Sequence, residues 1–507
     1  MSRDPCEEFL KVAPQFKLGE LVTEQPHPDT TNLSLLAREH LPEAIASLKA
    51  VDGKALAQLH GYAGKIAQMG SDIQTVLRRG NRVFLCGCGA TGRLSIALEV
   101  FCREGMLGEA LRNRVIGFMA GGDAALIKSI ENFEDRPSFG KRQLLELGFS
   151  EEDLLIGITE GGETPYVIGA TEAAAKYSNY NPWFLYCNPD DQLIRLVERS
   201  ASILNNNGIG KLNLHVGPMA LSGSTRMQAS TVQMAAVGCA LIHGPDREKI
   251  LSGLIRLGEF WDGLEIAPLA DFTALEARIY RDNAYVLYQT ESCGVTVLTD
   301  TTERSPTFSL SPFENNLLPG DSPSLSYLTL PQTHDSASAW RKLLKRSPRC
   351  LEWPETAAFT GENFFYGFNL DSDCEERRRQ KTGSPNHHRF TIESTDEGIR
   401  WNLGSTAWDI ATGPVGILEK NLILKMLLNI HSTLVMGKLG RFESNLMTYV
   451  KPSNFKLIDR GIRYVRLLAR HRNIEPPGYR EVARRLFEVS ETMGPEDPIV
   501  LKVLERL

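Results

Sequence analysis

Residues 87–94 read GCGATGRL, three glycines in six positions followed by an arginine, with a hydroxyl among them. This spacing points to chemistry on an anion. Glycines at 87, 89 and 92 let backbone amides crowd around a phosphate at the start of a helix, where unpaired N–H groups and the helix dipole favour negative charge. Gly89, Ala90, Thr91 and Arg93 are the candidate binding residues of this loop. No GK[ST] follows, and although GxGxxG is present, no acidic residue ends the next strand-like run, so neither common nucleotide loop fits. Taken alone, the loop suits a phosphate cradle and tight strand-to-helix packing equally.

Three further polar segments carry glycines: AGGDAALIKSIENFED (120–135), GITEGGETPYVIGA (157–170) and GPMALSGSTRMQAST (217–231). Each places hydroxyls or free amides beside a helix start, groups that bind phosphate without a metal. The second offers Thr159, Gly161 and Thr164, and the third offers Ser222, Ser224, Thr225 and Arg226.

The elements that must position these loops alternate along the chain. Short apolar runs, NRVFLCG, RVIGFMAGG, DLLIGIT, PWFLYCN and KLNLHVG, are separated by helix-length amphipathic stretches. That alternation predicts a doubly wound parallel sheet whose ligands sit at the carboxyl ends of its strands. Before it, residues 33–79 show helical spacing with loops expected around Gly53 and Gly70. After helices over 247–280, a weaker version of the same pattern follows: AYVLYQT, VTVLTD, SYLTLPQT, RCLEW and RFTIEST. Residues 371–388 read as an exposed loop ending in a solvated pair, His387 and His388. From residue 418 the chain reads as helices. The expected units are 1–70 (N-terminal helices), 71–246 (first sheet domain), 247–430 (bridge helices and second sheet domain) and 431–507 (a helical lid).

The 507 residues are 42% hydrophobic and 23% charged, with a net charge of -6, which is ordinary for a globular chain and leaves no basic footprint for nucleic acid. No apolar run approaches the roughly 20 residues that span a bilayer, and the charged N-terminus lacks a signal-peptide core, so a cytoplasmic protein is expected. Nine cysteines without CxxC pairs read as buried reduced thiols. Cys86 and Cys88 lack partners at metal-ligand spacing, and neither a metal nor a cofactor is called for.

The four glycine-bearing segments, in this order, resemble those of the sugar isomerase (SIS) domain proteins, in the branch that holds N-acetylmuramate-6-phosphate etherase and glucokinase regulatory protein. The etherases carry GxGTSGRL, AGG followed by EGAED, GIAASGRTPYV and GSTRMKAGT. Here the same places read GCGATGRL, AGG followed by ENFED, GITEGGETPYV and GSTRMQAST. The likeness continues in the second half: DTTERSPTF (300–308) is similar to DxSECPPT[FY], and KMLLNIHST, NLMTYV and SNFKL are similar to a KLVLNxxST helix, NLMVDV and TNDKL. Met234 stands in the first half where that helix has its lysine.

The resemblance implies an α/β fold of two tandem SIS-type doubly wound parallel-sheet domains with N-terminal helices and a C-terminal helical subdomain. The first domain keeps the phosphate loops, and the second, whose first loop reads TESCG, keeps the acidic and lysine motifs. One composite sugar-phosphate site is therefore expected. Glu134 matches the etherase base and Glu303 its acid, and the same glutamates match those that hold sugar hydroxyls in the regulatory protein. Lys425 matches a lysine that neutralises the phosphate. The implied function is a regulatory protein that senses a sugar phosphate such as fructose 6-phosphate, with a sugar kinase as partner. The alternatives are a lyase cleaving the lactyl ether of N-acetylmuramate 6-phosphate, an aldose–ketose isomerase, and a degenerate paralogue. Gly161 and Glu163 replace the etherase Ser and Arg, so Glu160 and Glu163 form either a solvated rim or a sugar-recognition pair.

Overall fold

The five apolar runs of the first half fold as β1 (Val83–Gly87), β2 (Val115–Met119), β3 (Leu154–Ile158), β4 (Trp183–Tyr186) and β5 (Gly210–Asn213) in a computed structural model that describes residues 4–15, 17–130, 133–318, 320–452, 455–494 and 497–507. All five are parallel, in the order β2-β1-β3-β4-β5, with Cys86 opposite both Phe118 and Gly157. Every residue of β1 and β3 is buried, as expected where helices cover both faces of a parallel sheet. The strand order reverses between β1 and β3, and the loops leaving these two strands flank the crevice in which open α/β sheets bind ligands.

The second sheet comprises β6 (Tyr285–Gln289), β7 (Ser326–Thr329), β8 (His387–Ser394), β9 (Gly398–Leu403) and β10 (Thr406–Ala411) in the order β10-β9-β8-β6-β7. Only β6, β7 and β8 run parallel; β8, β9 and β10 form an antiparallel meander, so this half departs from the all-parallel sheet expected. Two expected strands are absent. VTVLTD lies in the helix Gly294–Phe308, and RCLEW is irregular. The latter segment is apolar because Leu351 and Trp353 are buried against the first half, where Trp353 stacks on Phe133 at 5.5 Å.

Residues 371–388 also differ from the exposed loop expected. They contain the helix Cys374–Thr382, pinned by buried Arg378 on Glu314. His387 is half-buried, stacked on Tyr285 and 3.1 Å from the Thr382 hydroxyl, while His388 is exposed. Gly53 and Gly70 lie inside the helices Leu41–Gln58 and Ala63–Arg78 instead of in loops. A Cβ at Gly70 would collide with the carbonyl of Gly244, so this glycine serves close helix packing. Helices run unbroken through residues 70 and 430, where the sequence suggested changes of unit.

A buried charge cluster clasps the two halves. Arg349 donates to Glu99 Oε1 at 2.7 Å and Arg346 to Glu99 Oε2 at 3.1 Å and Asp123 Oδ2 at 2.5 Å. Glu99 belongs to the helix Ala90–Arg103 that follows the glycine loop, so the second half fixes the body of that helix.

Candidate functional site

A cavity of about 270 Å3 opens at the carboxyl ends of β1 and β3 and is closed from the second half and by Phe455–His471, the long C-terminal helix that precedes the shorter helices Tyr479–Ser490 and Ile499–Glu505. The glycine loop forms one wall. Gly89 has φ +55°, a left-handed conformation that favours glycine, and the helix Ala90–Arg103 begins beside the cavity with no side-chain cap on its first amides. Gly87 and Gly92 have a packing role: a Cβ on Gly87 would collide with the backbone of Thr91, and one on Gly92 with Met119. The loop is thus both an open amide cradle and a tight strand-to-helix junction.

Of the residues expected at the site, Gly89, Ala90, Arg93, Glu134, Gly161, Thr164, Ser224, Thr225, Arg226 and Glu303 line this cavity. Thr91, Thr159 and Lys425 do not. The Thr91 hydroxyl donates to the Cys88 carbonyl at 2.9 Å and accepts from the Cys88 amide at 3.0 Å, tying the turn to itself. The Thr159 hydroxyl meets that of Thr164 at 3.0 Å, behind the exposed face of its loop. Lys425 is spent on the Arg226 carbonyl (2.9 Å), Thr231 (2.8 Å) and Asn429 (3.0 Å), so it braces the GSTR loop from behind. Ser222 likewise donates to the Glu24 carbonyl at 2.7 Å.

Three buried polar atoms at the cavity have no hydrogen-bond partner among the described residues: Glu160 Oε1, Ser224 Oγ and Arg226 Nε. Buried groups of this kind are uncommon in folded chains, and three around one cavity mark a place that a polar ligand completes. The rest of the Arg226 guanidinium is engaged with Asp300 Oδ1 (3.0 Å), Ser432 (3.1 Å) and Thr433 (2.8 Å), which fixes its plane. Asp300 is held in turn by Arg304, and Arg304 by Glu276, so the arginine stands on a buried chain of charges.

Glu303 enters from the helix Gly294–Phe308 and is 5% exposed; burial raises its carboxyl despite the charges of Arg93, Arg226 and Lys425. Glu134 stands across the cavity, half-buried, accepting from the Cys88 thiol at 3.5 Å. Burial pushes Glu160 up to about 8 and the Glu303 charge adds to the shift, outweighing the hydrogen bonds from its own backbone amide and from Thr225 and the more distant Lys456 charge. Glu163 behaves oppositely. Burial alone would raise it, but Lys456 at 2.9 Å and the bonded Arg199 hold it at about 2. Glu160 and Glu163 are thus buried members of the site, and the solvated-rim reading does not hold.

The sequence reading did not single out Lys456, Arg460 and Glu24. Lys456 lies within SNFKL, the signal from which it was available; Ser453 and Asn454 of that motif and Glu131 and Asn132 of ENFED lie outside the described residues. Arg460 binds Glu24 Oε1 at 2.6 Å. Among the described residues, no group of His, Cys, Asp and Glu side chains is placed to hold a metal ion, and no helix is long and apolar enough to cross a membrane.

A parallel five-stranded sheet with a glycine loop at its switch point, and a site completed from a second α/β unit, define a tandem SIS-type architecture. Residues 65–175 match the family profile described as the glucokinase regulatory protein N-terminal SIS domain. N-acetylmuramic acid 6-phosphate etherase 2 of Vibrio cholerae is 30% identical over 264 residues, which cover 52% of this chain and 78% of that protein. The etherase of Thermosynechococcus vestitus is 37% identical over 224 residues, 43% of this chain and 66% of that one. Among solved structures, tagatose-6-phosphate ketose/aldose isomerase from Escherichia coli aligns with a TM-score of 0.42 and 12% identity, covering 83% of this chain and 97% of that chain. The chain belongs to the SIS-domain family, in the branch of N-acetylmuramate-6-phosphate etherase and glucokinase regulatory protein.

Proposed function

We propose that this chain holds one sugar phosphate in the cavity and signals its presence through the C-terminal helix, as a regulatory protein similar to glucokinase regulatory protein. The observation that carries this reading is the set of unpartnered buried atoms, Glu160 Oε1, Ser224 Oγ and Arg226 Nε, facing an uncapped helix N-terminus. Amides receive the phosphate and the side chains receive sugar hydroxyls. Lys456 and Arg460 place the C-terminal helix against the same space, so an anion in the cavity alters how that helix is seated. Fructose 6-phosphate is the first ligand to test and a sugar kinase the partner. A thermal-shift series with fructose 6-phosphate, fructose 1-phosphate and N-acetylmuramate 6-phosphate tests the reading: a ligand at a hundred times its dissociation constant stabilises by about 2.7 kcal/mol, and no shift with any of them would overturn it.

A second reading, lyase activity on N-acetylmuramate 6-phosphate, is favoured by the placement of Glu134 and Glu303 on one cavity, with Glu303 raised toward its acid form by burial. Glu134 would act as base and Glu303 as acid. Sustained lactate release that Glu134→Gln abolishes would replace sensing by catalysis, whereas binding without lactate supports the regulatory reading.

A further inference from the structure

Five carboxylates line the one cavity: Glu24, Glu134, Glu160, Glu163 and Glu303. Four of them are answered by cations. Glu24 binds Arg460, Glu163 binds Lys456 and Arg199, Glu134 stands 4.0 Å from Lys456, and Glu303 faces Arg93 and Arg226. Glu160 is different. It is 7% exposed, and its Oε1 has no hydrogen-bond partner among the described residues. The foremost side-chain charge acting on it is that of Glu303, another carboxylate, and the Lys456 ammonium beyond it is already engaged by Glu163.

Resting on the sugar-phosphate reading above, we propose that Glu160 receives an amino group of the bound sugar, so that the ligand is an amino sugar phosphate with its phosphate at the glycine loop and its ammonium at Glu160 Oε1. A carboxylate buried beside a phosphate is unfavourable unless a positive charge lies between them. A zwitterionic ligand brings that charge itself. A hydroxyl in the same position pairs with the carboxyl in its neutral form and gains no ion pair, whereas an ammonium gains both the hydrogen bond and the charge.

The groups facing Glu160 come from five elements: Cys88 from the glycine loop, Cys187 from the end of β4, the Thr225 hydroxyl from the GSTR loop, Glu303 from the second half and Lys456 from the C-terminal helix; Thr225 supplies a hydrogen bond but no charge. The two thiols are themselves raised by burial and stay neutral. Near neutral pH the empty cavity therefore keeps Glu160 protonated, and an arriving ammonium draws the carboxyl into its ionised form, with the proton released to solvent.

Titration calorimetry on the full chain near neutral pH tests this with glucosamine 6-phosphate, glucose 6-phosphate and N-acetylglucosamine 6-phosphate. The first two differ only by an ammonium in place of a hydroxyl. The amino sugar is expected to bind about tenfold tighter or better, with a binding heat that varies with the ionisation enthalpy of the buffer, and Glu160→Gln should bring the pair within about threefold. Equal affinities in the unmodified protein, or a preference that survives in Glu160→Gln, would overturn the proposal and leave the sugar-phosphate reading standing. If none of the three binds, and fructose 6-phosphate does not either, the sugar-phosphate reading falls and the proposal with it. The comparison in the unmodified protein decides the question even where Glu160→Gln fails to fold.

Discussion

Lys456 Nζ lies 2.9 Å from Glu163 Oε1, joining residues 293 positions apart across the rim of the cavity. Glu163 is nearly buried there, so removing the cation leaves it with Arg199 alone. Lys456→Met should cost about 1–3 kcal/mol, read from the urea midpoint, and should loosen the start of the C-terminal helix. An unchanged midpoint would mean that the helix seats without this pair.

The acid side of the stability profile depends on the same contacts. Burial opposes ionisation of Glu24 and Glu163, but Arg460 with Arg463, and Lys456 with Arg199, outweigh it and hold both carboxyls at about 2. Their folded values lie below the unfolded value of about 4.3. The stability they contribute is thus present above that pH and lost as pH falls through about 2. Melting temperatures followed downward from pH 5 should fall more steeply in the unmodified chain than in Lys456→Met.

Glu160 imposes the opposite slope. Its folded carboxyl is raised to about 8, so its contribution is complete below the unfolded value and is lost as pH rises through about 8. Glu160→Gln removes that dependence. Between pH 5 and pH 9, without ligand, the variant should gain stability relative to the unmodified chain, and parallel profiles would show that Glu160 ionises freely.

The three loop glycines should separate by mechanism. Gly87→Ala and Gly92→Ala drive a Cβ into backbone or into Met119 and should abolish the native melting transition or lower it severely. Gly89→Ala meets nothing within 4 Å and has only its backbone conformation of φ +55°, ψ -122° to bear, a cost of about 1–3 kcal/mol. It should fold and show its defect in ligand affinity, which calorimetry would read.

Asp300 is the hub beneath Arg226, accepting from Arg226, Arg304, Ser432 and Asn429. Asp300→Asn keeps the shape but leaves two buried guanidinium groups facing a neutral amide, which should cost about 3–5 kcal/mol in denaturant unfolding. A loss below about 1 kcal/mol would mean that water compensates the arginines.

All five strands of the first sheet are legible in the sequence because each carries a short apolar stretch bounded by turn residues, fully buried in β1, β3 and β4 and less so in the edge strand β5. VTVLTD is misleading for a similar reason, since a short apolar run at the buried start of a helix looks like a strand, and its β-branched residues strengthen the illusion. At the site, the composition of the loops can be read but not the direction of their hydroxyls: Thr91 and Thr159 turn inward to satisfy neighbouring groups of their own loops. Lys425 is recognisable by type, yet it supports the GSTR loop instead of facing the cavity. Lys456 becomes a site residue because the C-terminal helix returns to the first sheet; the SNFKL motif marks the segment, but its spacing does not say which of its side chains reaches the cavity.

The cavity walls come from Glu24 near one end of the chain, Gly89 and Glu160 from the first sheet, Glu303 from the second half and Arg460 from the C-terminal helix. A chain still emerging from the ribosome has the glycine loop long before it has Arg460. During synthesis no intermediate can grip its small molecule with the full set of contacts, so the ligand rewards only the finished fold. Added during refolding, it should leave the early phases untouched and act on the last docking step alone.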